Sequence, residues 1–354
     1  MKSKLLIVVC AVVAVLLVLA IIQDVQYSNL MKPVEIENIS ISTQTNKIQH
    51  FFESLSDYEK EIYYDTINLL DQYKCGEILL KEPITPRSYF RIETALRYDS
   101  ERYWYLAYLF PFNENFEYVN IYVEQENPEN LIHKLLLVIE SEAFMQDYKD
   151  MVANDNSSGE AEQVSEDINP YKQYQDRITA VEHYNDVNID SSFYSKKHEN
   201  VERKLNEIIS AIPDGSNQED TVQYFCKWLV ENMVYDPIMA NQILSGSFSV
   251  YDGLVESGNI TSILKGEGVC AGFDMILTTL CNRVGIESYI TIGITPDGRH
   301  TWSAIKIGNE VYYKDTTYEI VKKEIRPLMT RAQFYAKNKS YKPFSDIFEN
   351  LWAK

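Results

Sequence analysis

Cys270, His300 and Asp315 carry the chemistry this sequence has to offer. A thiolate is a strong nucleophile, an imidazole can take and return a proton, and a carboxylate can orient that imidazole and stabilise its charged form. The three occur in that order, 30 and 15 residues apart. Each alone has an ordinary reading: cysteines at helix starts are common, a lone strand histidine is commonly structural, and an aspartate after a strand commonly belongs to a turn. Their joint occurrence, and the elements that would bring them together, give them weight.

The nucleophile candidate lies in "GVCAGFDMILTTLCNRVG". Phe273, Ile276, Leu277, Leu280, Cys281 and Val284 recur at helical spacing, and Gly285 is a natural C-terminal stop. Cys281 therefore belongs to a core stripe, whereas Cys270 falls at the helix start. There, unpaired backbone N–H groups and the positive dipole end favour thiolate over thiol. Gly268 and Gly272 would leave the backbone around Cys270 uncluttered, as a substrate carbonyl requires.

His300 opens "HTWSAIKI", which "GN" at 308–309 joins to "EVYYKD". With a two-residue turn at Gly308–Asn309, Ile307 pairs with Glu310, Trp302 faces Asp315 and Thr317 lies opposite His300. Side chains two apart on a strand, or directly opposite across a pair, share a face. His300, Trp302 and Asp315 are thus expected to point the same way. A diagonal neighbour lies roughly 7–8 Å away, a gap longer side chains bridge, and a single bulge would send Asp315 to the other face.

Among the remaining cysteines, Cys226 in "TVQYFCKWLVENM" reads as a buried thiol on an apolar stripe, Cys10 lies in an apolar run, and Cys75 carries no signal. Five cysteines without regular spacing indicate neither a disulfide framework nor a zinc site. His50, His133, His183 and His198 sit in polar settings and read as surface residues. No metal site is expected: there is no EF-hand loop and no His/Cys ligand cluster. No cofactor is expected either.

At 354 residues and 45% hydrophobic content the chain can bury a sizeable core and suggests two folded units. With 52 acidic against 33 basic residues, a net charge of -19 argues against a nucleic-acid partner. Twenty-six tyrosines scatter singly and read as packing surface rather than a binding stripe. Residues 1–4 read as a cytoplasmic N-terminus. Leu5–Ile22 has no charged side chain and reads as a transmembrane anchor, with Lys2 and Lys4 before it and Asp24 after it. A cleaved signal peptide is the rival, opposed by the absence of a small-x-small site. The expectation is a single-pass protein of the cell membrane with its folded part extracytoplasmic. Residues 23–34 then read as a spacer, 35–150 as an N-terminal α+β domain, 151–196 as an acidic connector and 197–345 as the catalytic unit. In the first domain, a helix through Ile62, Tyr63 and Leu70 is capped by Ser54 or Ser56, and strands follow in "RYWYLAYLF" and "EYVNIYVEQ". In the second, Val201, Leu205, Ile208, Ile209 and Ile212 form a helix face stopped by "PDG". Ser216 and Glu219 resemble the capping box of the next helix.

"GVCAGF" and "HTWSAIKIGNEVYYKDTTY" together resemble the nucleophile motif, the H-x-W strand and the D-x-T strand end of the transglutaminase-like, papain-related superfamily, over about residues 197–320. The likeness extends to its bacterial membrane-anchored members. It implies an α+β fold in which a nucleophile helix packs on an antiparallel sheet, preceded here by the smaller α+β domain and the transmembrane helix. It implies Cys270 as nucleophile, His300 as base, Asp315 as orienting acid and Trp302 as support, with Tyr235 in "NMVYDP" as the aromatic lining an oxyanion site. Thr301 and Ser303 depart from the Ala and Asn that often flank the tryptophan. The implied activity is acyl transfer at peptide or carboxamide bonds of a protein or peptide substrate through a thioester, with hydrolysis favoured over cross-linking. A fold retained as an idle surface-binding scaffold is the alternative.

Overall fold

The computed structural model describes residues 22–34, 36–41, 50–99, 101–117, 119, 130–139, 191–240 and 257–343. Helix α1 (Asp57–Asp71) is capped by Ser56, whose hydroxyl accepts from the Glu59 N–H while the Glu59 carboxylate accepts from the Ser56 N–H. Strand β1 (Gly76–Ile84) follows, then helix α2 (Pro86–Tyr98). Thr85 caps α2, its hydroxyl accepting from the Ser88 N–H, and Pro86 stands in the first turn, where its missing N–H costs nothing. Strands β2 (Leu106–Phe112) and β3 (Ile132–Ile139) complete an antiparallel sheet of order β1-β3-β2. The first expected strand overlaps β2, while "EYVNIYVEQ" lies almost wholly outside the described residues.

Helix α3 (Ser191–Ser210) begins within the expected connector, the rest of which (151–190) lies outside the described residues. Its first turns are held by aromatic packing: Tyr194 stacks on Tyr73 at 4.9 Å and also meets Tyr105 and Trp104. The tyrosines here form a cluster that sequence alone, with its scattered singles, did not reveal. Helix α4 (Gln218–Asn232) is capped by Asn217 and Asp220, one residue beyond the expected Ser216 and Glu219.

The second half carries the two-residue parallel pair β4 (Val234–Tyr235) and β5 (Glu267–Gly268), then helix α5 (Cys270–Arg283). Strands β6 (Ser288–Thr295), β7 (Gly298–Ile307) and β8 (Glu310–Lys314) follow. Helix α6 (Thr316–Lys322), strand β9 (Met329–Thr330), helix α7 (Arg331–Lys337) and strand β10 (Lys342–Pro343) end the described chain. The antiparallel sheet runs β10-β6-β7-β8-β9. Phe273, Ile276, Leu277, Leu280 and Cys281 of α5 are fully buried, as their spacing predicts. One apolar cluster continues through both sheets, with Phe51 edge-on to Tyr289 at 6.0 Å. The end of the expected spacer is tied to the fold: Gln333 donates to the carbonyls of Leu30 and Lys32.

The membrane anchor expected over Leu5–Ile22 is corrected. Among the described residues no helix is long and apolar enough to cross a membrane. The helical stretch 22–30, which falls almost wholly in the expected spacer, carries Gln23, Asp24, Gln26, Ser28 and Asn29 and is exposed. Residues 1–21 lie outside the described residues. The single-pass membrane placement and the extracytoplasmic localisation rested on that anchor and are withdrawn with it. What stands of the expected fold class is a mixed α+β architecture with a helix packed on an antiparallel sheet.

Candidate active site

Cys270 is the first residue of α5, after Val269, which makes no side-chain cap. The N–H groups of the first turn therefore have no side-chain oxygen from the N-cap in competition, and the positive end of the helix favours an anion there. Cys270 is half-buried, and all four described cysteines are unpaired thiols. Gly268 and Gly272 serve packing here: a Cβ on either would press on the Ser257 carbonyl oxygen and the Ser262 side chain. They let β5 and α5 close on the segment that begins at Ser257.

The β7–β8 hairpin has the expected register, Ile307 opposite Glu310 and Ser303 opposite Lys314, with Gly308 at a left-handed φ of 62°. The strand stops at Lys314. Asp315 becomes the N-cap of α6, so Thr317 lies in the helix and is not opposite His300. On its other side His300 pairs with Gly293, where any side chain would collide with Trp302 and β10. Asp315 combines the turn reading with the polar one. Its Oδ1 accepts from the Tyr318 N–H at 3.0 Å, and its Oδ2 lies 3.2 Å from His300 Nε2. Tyr341 also donates to Oδ2, at 2.6 Å.

Nε2 faces Asp315, and His300 acts on the Cys270 thiol through hydrogen bonding and charge, with the Thr301 backbone N–H also favouring the thiolate. Burial pushes the Cys270 thiol up, but the hydrogen bond and charge of His300 outweigh it and leave its pKa below the ordinary thiol value. Burial would likewise lower the pKa of His300, yet Asp315 and Cys270 hold it well above the ordinary imidazole value. Burial disfavours the Asp315 carboxylate too, but His300, Tyr341 and the Tyr318 N–H keep its pKa low. The three groups favour one charge state together, thiolate, imidazolium and carboxylate.

Tyr235 is half-buried beside Gly268 in the β4–β5 pair. Burial raises its pKa, and the Cys270 charge raises it further; its ring packs against Met239, Ala240 and Val269. Trp302 is wholly buried, 6.2 Å from the His300 ring and 5.3 Å from the Tyr341 ring between centroids. It forms the floor under the imidazole. Among the described residues no group of three or more His, Cys, Asp or Glu could hold a metal ion.

Two neighbours went unread in the sequence. Tyr341 sits in "KNKSYKPF", among tyrosines that nothing local distinguishes. Asp274 had a signal: it interrupts the apolar stripe of α5, one turn after Cys270. It is fully buried. Its Oδ2 accepts from Thr301 Oγ1 at 2.7 Å, and its Oδ1 from Ser303 Oγ and Thr316 Oγ1, each at 2.8 Å.

No protein-family model matches the chain and no curated protein matches it. Two solved structures are similar at a distance. One is a transglutaminase, at 14% identity and TM-score 0.31, covering 54% of this chain and 42% of that one. The other is a candidate cysteine protease from Cytophaga hutchinsonii, at 17% identity and TM-score 0.26, covering 41% of this chain and 47% of that one. The chain thus spans less than half the length of either. The membership implied by the motif resemblance is corrected accordingly: what stands is a distant structural similarity to transglutaminase and cysteine-protease-like folds.

Proposed function

We propose that this protein is a thiol acyl-transfer enzyme acting on peptide or carboxamide bonds, hydrolytic rather than cross-linking. The observation that supports the reading is the chain of contacts from Cys270 through His300 to Asp315, with the pKa of the thiol pushed down and that of the imidazole pushed up. In the proposed reaction the Cys270 thiolate attacks the carbonyl carbon. The oxyanion is held by the Cys270 backbone N–H at the start of α5 and by the Tyr235 hydroxyl. His300 gives its proton to the leaving amine as the C–N bond breaks, and a thioester remains. His300 then takes a proton from water, the hydroxide equivalent adds to the thioester, and the carboxylate leaves with the thiolate restored. Asp315 fixes the imidazole tautomer and stabilises its charge. A lysine amine in place of that water would give an isopeptide.

The test is mass spectrometry of a defined peptide mixture after incubation with the full chain. New cleavage or deamidation products that Cys270→Ala does not form support the hydrolytic reading. Isopeptide products would change the outcome but keep the thioester. No change in any peptide would defeat the enzyme reading in favour of a binding scaffold.

A further inference from the structure

We infer that Asp274 is a positioning residue of this site, a buried carboxylate that fastens the helix carrying Cys270 to the two elements carrying His300 and Asp315. The inference deepens the proposed thiol chemistry and rests on it. Asp274 lies one helical turn after Cys270, on the same face of α5. Thr301 and Ser303 flank Trp302 on β7 and, by strand alternation, present the face opposite to His300 and Trp302. Thr316 is the first residue of α6, immediately after Asp315. The three hydroxyls donating to one carboxylate therefore come from a residue adjacent to His300, a residue three beyond it, and a residue adjacent to Asp315.

Thr301 ties β7 to α5: its hydroxyl donates to Asp274, and its backbone N–H favours the Cys270 thiolate, so a shift of β7 along α5 disturbs both. Packing alone does not account for the carboxylate. Burying a charge is costly, and Asp274 has only hydroxyl donors, with no lysine or arginine in ion-pair contact among the described residues. Alanine would fill a helix–sheet contact at this spacing without that cost. What a carboxylate adds is capacity: two oxygens with several lone pairs can gather donors from three directions at once.

The three side chains also agree with one another. Thr301 and Ser303 are the residues that depart from the apolar or amide neighbours expected beside the tryptophan, and both departures point at Asp274. Each hydroxyl would lack this acceptor without the carboxylate, and the carboxylate would be an unsatisfied buried charge without the hydroxyls. The cluster is self-consistent only as a whole, and it stands where the three proposed catalytic residues converge.

The experiment measures the rate of Cys270 alkylation by iodoacetamide against pH, in the full chain and its variants, with folding followed by circular dichroism. In the wild type, reaction should persist well below the ordinary thiol pKa. Asp274→Ala should move the inflection up towards that of a free thiol and slow alkylation at pH 6 at least tenfold. Asp274→Asn, which can accept from Ser303 and Thr316 and donate to Thr301, should restore the rate to within about threefold. A purely structural Asp274 would lower the melting temperature of the alanine variant and leave the profile of the folded protein in place, and that result overturns the inference. If Asp274→Ala does not fold, Ser303→Ala combined with Thr316→Val decides by the same criterion. A wild type alkylated no faster than an exposed thiol at low pH would overturn the thiol reading itself. An activated wild type with an unmoved alanine profile overturns only the role of Asp274.

Discussion

Replacing Asp315 by Asn removes the charge that faces His300 and keeps the shape of the side chain. The His300 Nε2 to Asp315 Oδ2 distance is 3.2 Å, and both side chains are largely shielded from solvent, at 14% and 4% exposure. For charge centres about 4 Å apart at an effective dielectric near 20, the attraction is on the order of 4 kcal/mol. Asn can still accept one hydrogen bond but supplies no charge, so the His300 pKa should fall clearly. The sign for stability follows. A histidine whose pKa is raised by folding contributes stability fully present below its ordinary value and lost as pH rises through the raised one. Asp315, whose own pKa is lowered, contributes only while ionised, so Asp315→Asn should destabilise the protein most between the ordinary carboxylate and ordinary imidazole pKa values. Long-range proton–nitrogen NMR of the imidazoles, with His300→Gln to assign the resonance, reads pKa and tautomer together. A His300 that titrates within about half a unit of wild type in Asp315→Asn would refute the electrostatic argument.

Tyr341→Phe removes the second donor to Asp315 Oδ2, a bond of 2.6 Å to a charged acceptor, and should cost about 1.5–3 kcal/mol, read as a lower denaturant midpoint and slower turnover. Asp274, pushed by burial up to about 6, favours the folded state only while protonated. Its stabilising contribution is present below the ordinary carboxylate value and lost as pH rises through about 6, on the order of 3 kcal/mol across that window. Urea midpoints between pH 4 and 7 should fall by less in Asp274→Asn than in the wild type, the remainder coming from Asp99, which burial pushes up to about 7. Leu280→Ala, in the wholly buried stripe of α5, should cost about 2–5 kcal/mol of stability. In the folded protein it should leave the pH profile of Cys270 alkylation in place.

Helix α5 and the hairpin were legible because their signals are local. Apolar spacing after Cys270 sets a helix, and a two-residue turn fixes the β7–β8 register by counting. The arithmetic failed one residue past Lys314, where Asp315 caps a helix in place of extending the strand, because a side chain bonding its own downstream N–H leaves no trace in strand alternation. Asp274 was visible as a polar break in an apolar stripe, but its meaning required three donors brought from β7 and α6. Tyr341 reaches Asp315 from 26 residues away, and no spacing rule spans that. The aromatic cluster around Tyr194 shows the same limit, since its members come from separate elements. At the N-terminus the apolar run gave a strong local signal for a membrane span, and the described helices offer none.

The account stands most directly on a covalent acyl adduct at Cys270. The full chain incubated with peptides carrying carboxamide side chains, quenched in acid and mapped by mass spectrometry, should show the acyl group on the peptide containing Cys270. The adduct should be absent in Cys270→Ala and accumulate in His300→Ala only when a preactivated ester replaces the amide. Product formed by Cys270→Ala at the wild-type rate, or acylation found on Cys75, Cys226 or Cys281 in place of Cys270, would contradict it.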